Sequence, residues 1–375
     1  MGCEACRQRE PEANFPFEKN ENNDLEKNPE EKDNFIATFG SNLQTFGQYY
    51  PSEIDTLISK PIQDYIAENP IQINEEYCKD LTGYDIKPIE FKNGNIYQGG
   101  WNKNYRMEGQ GKYYIKGNNI FVEGIWKNGD LIYARIFINS EDSFDIYQGE
   151  IKDSNFNGKG KYIESNGQIY EGDFINGERN GTGKIYFTDG TIYEGQVEKG
   201  ELKGEGKMIW TNGYEYIGGF DGNKLEGKGK LKGPNNETYE GDFSNNLFSG
   251  KGIYTFQNGN IYEGQFEYGV KKGKGIFKSL NKFEFDGDWD NDQPCGVGKL
   301  STWDKNGIIK SSWRYGKIME EPCYEKGTQD DFEGIDFNIV IDEMKLNIKD
   351  LSNLVNSEIQ TTQYRPGSEP SFLDD

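Results

Sequence analysis

From about Phe91 to Leu300 the chain repeats a short pattern of ring, charge, glycine, polar, ring. Tyr170-Glu-Gly-Asp-Phe174 is one instance, and Tyr193-Glu-Gly-Gln-Val197, Tyr239-Glu-Gly-Asp-Phe243 and Tyr262-Glu-Gly-Gln-Phe266 are others. Side chains alternate faces along a strand, so Tyr170, Gly172 and Phe174 share one face and Glu171 and Asp173 the other. A second strand follows in each unit, as in Gly158-Lys-Gly-Lys-Tyr162. It sets Gly158, Gly160 and Tyr162 together and turns Lys159 and Lys161 outward. Glycine normally weakens a strand; here it leaves room for the rings, whose packing between successive hairpins supplies the core.

The leading positions are Tyr97, Val122, Tyr147, Tyr170, Tyr193, Tyr216, Tyr239, Tyr262 and Phe285, spaced by 25 residues twice and by 23 thereafter. A fixed period of this kind decides the fold. There are nine units, of which the second is degenerate: it keeps Glu123-Gly124 and Trp126 but reads Ile132-Tyr-Ala-Arg135 where the glycine pair belongs. Trp313 marks a decayed tenth. The predicted repeat core is Tyr97, Gly99 and Trp101; Tyr147 and Gly149; Tyr170, Gly172 and Phe174; Tyr193 and Gly195; Tyr216, Gly218 and Phe220. It continues with Tyr239, Gly241 and Phe243; Tyr262, Gly264 and Phe266; and Phe285, Gly287 and Trp289. Between units lie Asn93-Gly94, Asn166-Gly167, Asp189-Gly190, Asn212-Gly213 and Asn258-Gly259, which predict two-residue hairpin turns with both central residues at positive φ. The predicted fold is all-β: an elongated antiparallel β-hairpin meander or solenoid of about nine 23-residue repeats, with short helical caps and disordered termini.

The flanks divide the rest. Residues 1–34 are rich in Glu, Asn, Lys and Pro and read as a disordered tether. Residues 35–90 form a partly helical N-terminal cap. Phe35, Phe39, Phe46, Tyr49 and Tyr50 are expected to pack on the first repeat. Ser52 is expected to cap a helix carrying Ile54, Leu57 and Ile58, stopped or kinked by Pro61. Ile62, Tyr65 and Ile66 mark a second, and the pair is expected on the end of the array. Residues 91–316 hold the repeats. Residues 317–375 are acidic, with a helical pattern over 336–354.

Composition narrows the function. With 48 Gly and 14% aromatic residues, the core is rings over glycine. The net charge of −22 argues against a nucleic-acid partner. It is uneven: residues 1–96 hold 9 basic and 19 acidic side chains (−10), residues 97–300 hold 25 and 30 (−5), and residues 301–375 hold 8 and 15 (−7). There is no His, which excludes His-based acid–base catalysis and Cys2His2 zinc. The five cysteines are odd in number and unevenly spaced, which fits a reducing setting better than a disulfide framework. Gly222-Asn-Lys-Leu-Glu-Gly227-Lys228 approaches a phosphate loop, but ends in Gly229 where Ser or Thr is needed. Its recurrence in every unit makes it a hairpin. Glu171, Glu194, Glu240 and Glu263 read as surface charge. Lys159, Lys161, Lys228, Lys230 and Lys274 could line a stripe for anionic lipid, one that flanking carboxylates partly cancel.

Tyr-Glu-Gly-x-Phe/Trp followed by Gly-x-Gly-Lys on a 23-residue period resembles the MORN repeat (membrane occupation and recognition nexus), over roughly 210 of the 375 residues. The resemblance implies a β-meander that binds proteins, dimerises, or sits at membranes and cytoskeleton. Met1-Gly2-Cys3-Glu4-Ala5-Cys6 resembles the dually acylated N-termini of some Src-family kinases. Gly2 is the acceptor for myristate, and Cys3 or Cys6 for palmitate, although Cys6 stands where Ser or Thr is usual. Two lipids are needed for stable anchoring. The expectation is a non-enzymatic scaffold, without metal or cofactor, on the cytoplasmic face of a plasma or ciliary membrane. Its partners are cytoskeletal or membrane-associated proteins. An axonemal or cytoskeletal component, and a phosphoinositide-binding or lipid-kinase-regulating subunit, are the alternatives.

Overall fold

The computed structural model describes residues 47–49, 52–71, 84–85, 87–139, 143–280, 283–302, 304–319, 323–327 and 342–344. Within them the chain is all-β, a meander in which antiparallel strands pair with their sequence neighbours. It divides into two compact units, the first ending at Gly181 and the second starting at Thr182. In the first, the hairpins Ile96–Trp101/Met107–Ile115, Ile120–Lys127/Asp130–Asn139 and Phe144–Lys152/Asn155–Ile163 lead to Ile169–Ile175. Gly47–Tyr49 pairs with Ile89–Phe91, and Tyr84–Asp85 with Ile96–Trp101. In the second unit the meander runs from Ile192–Glu198 to Ile308–Arg314, on which Lys317–Ile318 and Cys323–Lys326 pair.

The turns reverse the expectation. The Asn-Gly turns between units are three-residue loops, closed by bonds such as Glu164 N–H to Gln168 O (2.8 Å) and Gly167 N–H to Glu164 O (2.8 Å). Only the glycine is left-handed, as at Gly167 (φ 95°). The Asn accepts a hydrogen bond from the residue two ahead (Gln168 N–H to Asn166 Oδ1, 2.8 Å), which gives Asn its place there. Two-residue turns with both φ positive occur inside the units instead, at Lys199-Gly200 (50°, 79°), Asn245-Asn246 (48°, 67°) and Tyr268-Gly269 (50°, 81°). A two-residue loop needs that handedness to match strand twist, whatever the residue type. The phosphate-loop-like run is such a hairpin, with Gly222 and Asn223 at its turn.

The N-terminal segment also differs. Ile54–Leu57 is a 3-10 turn preceded by Glu53, with no side-chain cap from Ser52. Pro61 lies in the first turn of α1 (Lys60–Glu68), where a missing N–H costs nothing, so it starts that helix instead of stopping one. The pair lies across the face of the sheet opposite the tyrosines, not on the end of the array. Ile54, Ile58 and Ile62 pack with Ile96, Phe121, Phe137 and Ile146, flanked by Tyr65 and Tyr114. Ile96, Phe121 and Ile146 each precede a leading position, so alternation points them outward. The decayed second unit is the dock. Arg135 and Glu123 form an ion pair on the outward face, with Arg135 only 2% exposed. Arg135 Nη1 also donates to Asn69 O, the carbonyl that ends α1. A cation there is favourable for both the orphan carbonyl and the helix dipole. On the tyrosine side, Val122 is too small to fill a ring's place, and the Leu131 side chain lies over Gly124.

Candidate functional site

The leading tyrosines Tyr97, Tyr147, Tyr170, Tyr193, Tyr216, Tyr239 and Tyr262 are fully buried, as are Phe285 and, to within a few per cent, Trp101, Phe174, Phe220, Phe243, Phe266 and Trp289. Wherever its own unit and the next carry a second ring, the tyrosine meets both edge-on; Ile151 and Val197 interrupt the row. Tyr216 lies 5.2 Å from Phe220 and 5.0 Å from Phe243, and Tyr239 lies 5.1 Å from both Phe243 and Phe266. Tyr262 continues with Phe266 (5.2 Å) and Trp289 (5.1 Å), and Phe285 with Trp313 (5.0 Å). Edge-to-face pairs of this kind add about 0.5–1.5 kcal/mol each beyond their burial. The row is therefore core, as the alternation predicts, and none of these rings is left for a partner.

The two glycines of Gly-x-Gly do different things. The second lies under the ring: Gly206 faces both Gly195 and Gly218, and a methyl on it would fall 2.6 Å from the Tyr193 ring and hydroxyl. Gly99, Gly149, Gly172, Gly241, Gly264 and Gly287 face a glycine in the same way. The first glycine is conformational, with φ 66° at Gly204 and 54° at Gly250. Opposite it the leading strand bulges, between Gly195 and Val197 for example. The tyrosine hydroxyl donates to the carbonyl at that bulge: Tyr193 to Gln196 O (2.7 Å), Tyr170 to Asp173 O (2.9 Å), Tyr262 to Gln265 O (3.0 Å). The bulge residue's own side chain then accepts an N–H across the hairpin, as Gln196 does from Glu205 and Asp242 from Lys251. This accounts for Asp, Gln or Glu at that place in the motif. Burial pushes the hydroxyls of Tyr216, Tyr239 and Tyr262 well above their ordinary range, which keeps them donors.

The lysine stripe is matched by carboxylates. Lys159 pairs with Asp173 (2.5 Å), Lys161 with Glu171 (2.7 Å), Lys228 with Asp242 (2.6 Å), Lys230 with Glu240 (3.1 Å) and Lys274 with Asp288 (2.8 Å). Exposed pairs like these contribute little to stability but leave no block of positive charge. Among the described residues no cluster of Cys, Asp and Glu is arranged to hold a metal ion. Gly2, Cys3 and Cys6 lie outside the described residues.

Two basic residues sit where the repeat phase otherwise places an apolar residue. At 23-residue steps the position reads Phe156, Arg179, Leu202, Leu225, Phe248, Lys271 and Pro294. Arg179, in the first unit, is buried over the rings of Tyr162 (5.1 Å) and Tyr170 (5.3 Å) and pairs with Glu164 (2.8 Å), which also accepts from Gln168 (2.8 Å). Lys271, in the second unit, is wholly buried, its Nζ 4.9 Å from the Trp289 ring, 5.5 Å from Phe256 and 5.7 Å from Tyr262. Phe256 takes the place that Glu164 has four repeats earlier. A C-terminal helical turn at 342–344, the described part of the predicted 336–354 helix, supplies polar partners. Lys271 Nζ donates to Met344 O (2.9 Å), while Glu343 accepts from Asn260 (3.2 Å) and Ser279 (2.7 Å). Met344 is fully buried. Burial lowers the Lys271 ammonium to about 8, against the opposing pull of Asp292. Sequence reasoning passed over this site; its signal was a lysine at an apolar phase.

Among solved structures, the TCP domain of SAS-4 from Drosophila melanogaster, in complex with a proline-rich motif of Ana2, is 13% identical, with 43% of this chain and 87% of that one covered and a TM-score of 0.28. A mutant TCP10 domain of Danio rerio CPAP is 10% identical, with 64% and 100% covered and a TM-score of 0.22. Likeness at that level carries no argument about function. No curated protein matches the chain. The MORN repeat model matches residues 97–119, 147–169, 170–192, 193–213, 216–238, 239–261, 262–281 and 285–302, leaving out the Val122 unit. MORN repeats suggest a repeat protein that binds proteins or membranes, and are typically non-enzymatic. The chain thus carries eight MORN repeats, folded as an antiparallel β-meander.

Proposed function

We propose that the chain is a non-catalytic scaffold, held on the cytoplasmic face of a plasma or ciliary membrane by acyl chains on Gly2 and on Cys3 or Cys6. There it displays its repeats to cytoskeletal or membrane-associated proteins. The observation that carries this reading is the clamp between the N-terminal segment and the sheet. Asp55 pairs with Lys112 (2.6 Å), Ile54 N–H donates to Gln98 (3.1 Å) and Arg135 holds Asn69. A lipid at Gly2 would therefore hold the folded array, through a polar stretch that ends in a docked element. The pairing of the stripe lysines with Asp and Glu favours acyl anchoring over headgroup binding by the repeats. Fractionation of cells expressing wild type or Gly2→Ala tests it: wild type is expected in the membrane pellet and the variant in the supernatant. Identical partition of the two would rule the anchor out.

A further inference from the structure

The Lys271 site has the composition of a receptor for a short peptide. Three buried polar side chains, Lys271, Asn260 and Ser279, bond to residues 73, 83 and 64 positions away in sequence. What they bind is simple: one backbone carbonyl and one carboxylate, beside the buried side chain of Met344. At the equivalent site Arg179 pairs with Glu164 of its own repeats, a carboxylate that also accepts from Gln168. At Lys271 that internal carboxylate is replaced by Phe256, and the acidic group arrives on a separate stretch of chain.

We propose that residues 342–344 are a tethered ligand for this pocket, and that a partner protein carrying an acidic residue followed by a large apolar one takes their place. Lys271 then donates to the backbone carbonyl of the partner's apolar residue, Asn260 and Ser279 hold its carboxylate, and the ring wall of Phe256, Tyr262 and Trp289 surrounds the ammonium. The chain's own turn is a competitor at high effective concentration, so it sets the threshold that a partner must overcome. This rests on the array being a protein-binding element. It does not rest on the lipid anchor, and the assay below contains no membrane, so the two can fail separately.

A fluorescent peptide with the sequence of residues 336–350 is titrated, by anisotropy, into the full chain. Wild type is expected to bind weakly. The variant E343A/M344A, whose own turn is released, is expected to bind at least tenfold more tightly. Adding Lys271→Met to that variant should remove the gain, and Met suits a position that is Leu or Phe in four other repeats. Should the triple variant melt early, Ser279→Ala in the released background serves instead, with a several-fold loss expected. Changing Glu to Gln or Met to Ser in the peptide should weaken binding. Equal affinity for wild type and the released variant overturns the proposal, as does binding that ignores Lys271, Ser279 and the peptide changes. A wild-type dimer by light scattering that E343A/M344A converts to monomer would also overturn it, by assigning the pocket to the tail of a second copy.

Discussion

At the residue scale, the tyrosine of the motif is explained by its hydroxyl as much as by its ring. Phe285 shows that a ring alone can occupy the place, and there the bulge shifts to between Asp286 and Asp288. Tyr193→Phe should therefore keep the fold and cost about 1 kcal/mol, the worth of a buried hydrogen bond, read as a lower urea midpoint. Gly206→Ala should cost more, about 2 kcal/mol or above, because its methyl has no space under the Tyr193 ring. Gly204→Ala should cost about 1–2 kcal/mol for a different reason, its left-handed φ of 66°. If Gly204 and Gly206 prove equally tolerant, their separate roles are wrong. Lys271 gives a pH signature. Its folded value of about 8 lies below its ordinary 10.5, so between those values the unfolded chain binds more protons and stability rises with pH. The full effect is at most about 3 kcal/mol, and below pH 8 the penalty for burying the charge is constant. Urea midpoints at pH 7.5 and 9.5 should show wild type gaining on Lys271→Met; parallel shifts would contradict a buried, charged lysine.

At the element scale, the outward face of the second unit works as a clamp for the chain's own N-terminal segment. Arg135→Ala would strand Glu123 and the Asn69 carbonyl, costing about 3 kcal/mol. The loss should concentrate in faster amide exchange over residues 54–69, with the hairpins beyond Ile192 unchanged. Uniform acceleration throughout the chain would show that the segment is not a separate docked element. The hairpins and the ring row were legible from sequence because both follow from period-2 alternation repeated many times. The dock was not, because it depends on the residue before each leading position. That residue is apolar in the first units (Ile96, Phe121, Ile146) but also at Ile169, Ile192 and Ile261, so alternation alone does not single out the dock. The turns were misassigned because Asn-Gly suits two loop lengths, and the strand register decides between them. Lys271 was missed because its ligand is brought from 73 residues away.

At the scale of the whole molecule, the rings are used up within the repeats and the outward charges largely pair with one another; on the proposed reading the repeats are a support to which function is attached at particular places. The N-terminal segment clamps over the decayed repeat, the C-terminal turn bonds to Lys271, and the proposed acyl sites Gly2 and Cys3 or Cys6 precede both. The flanks also carry most of the acidic excess, −10 before residue 97 and −7 after residue 300, which favours partners that do not depend on phosphate contacts. The central claim is that this support is lipid-anchored. Mass spectrometry of the N-terminal peptide from native material tests it most directly. The account predicts Gly2 exposed by loss of Met1 and carrying a myristoyl group, with a thioester-linked acyl chain on Cys3 or Cys6 that hydroxylamine removes. A peptide bearing free thiols and no acyl group on Gly2 would contradict it.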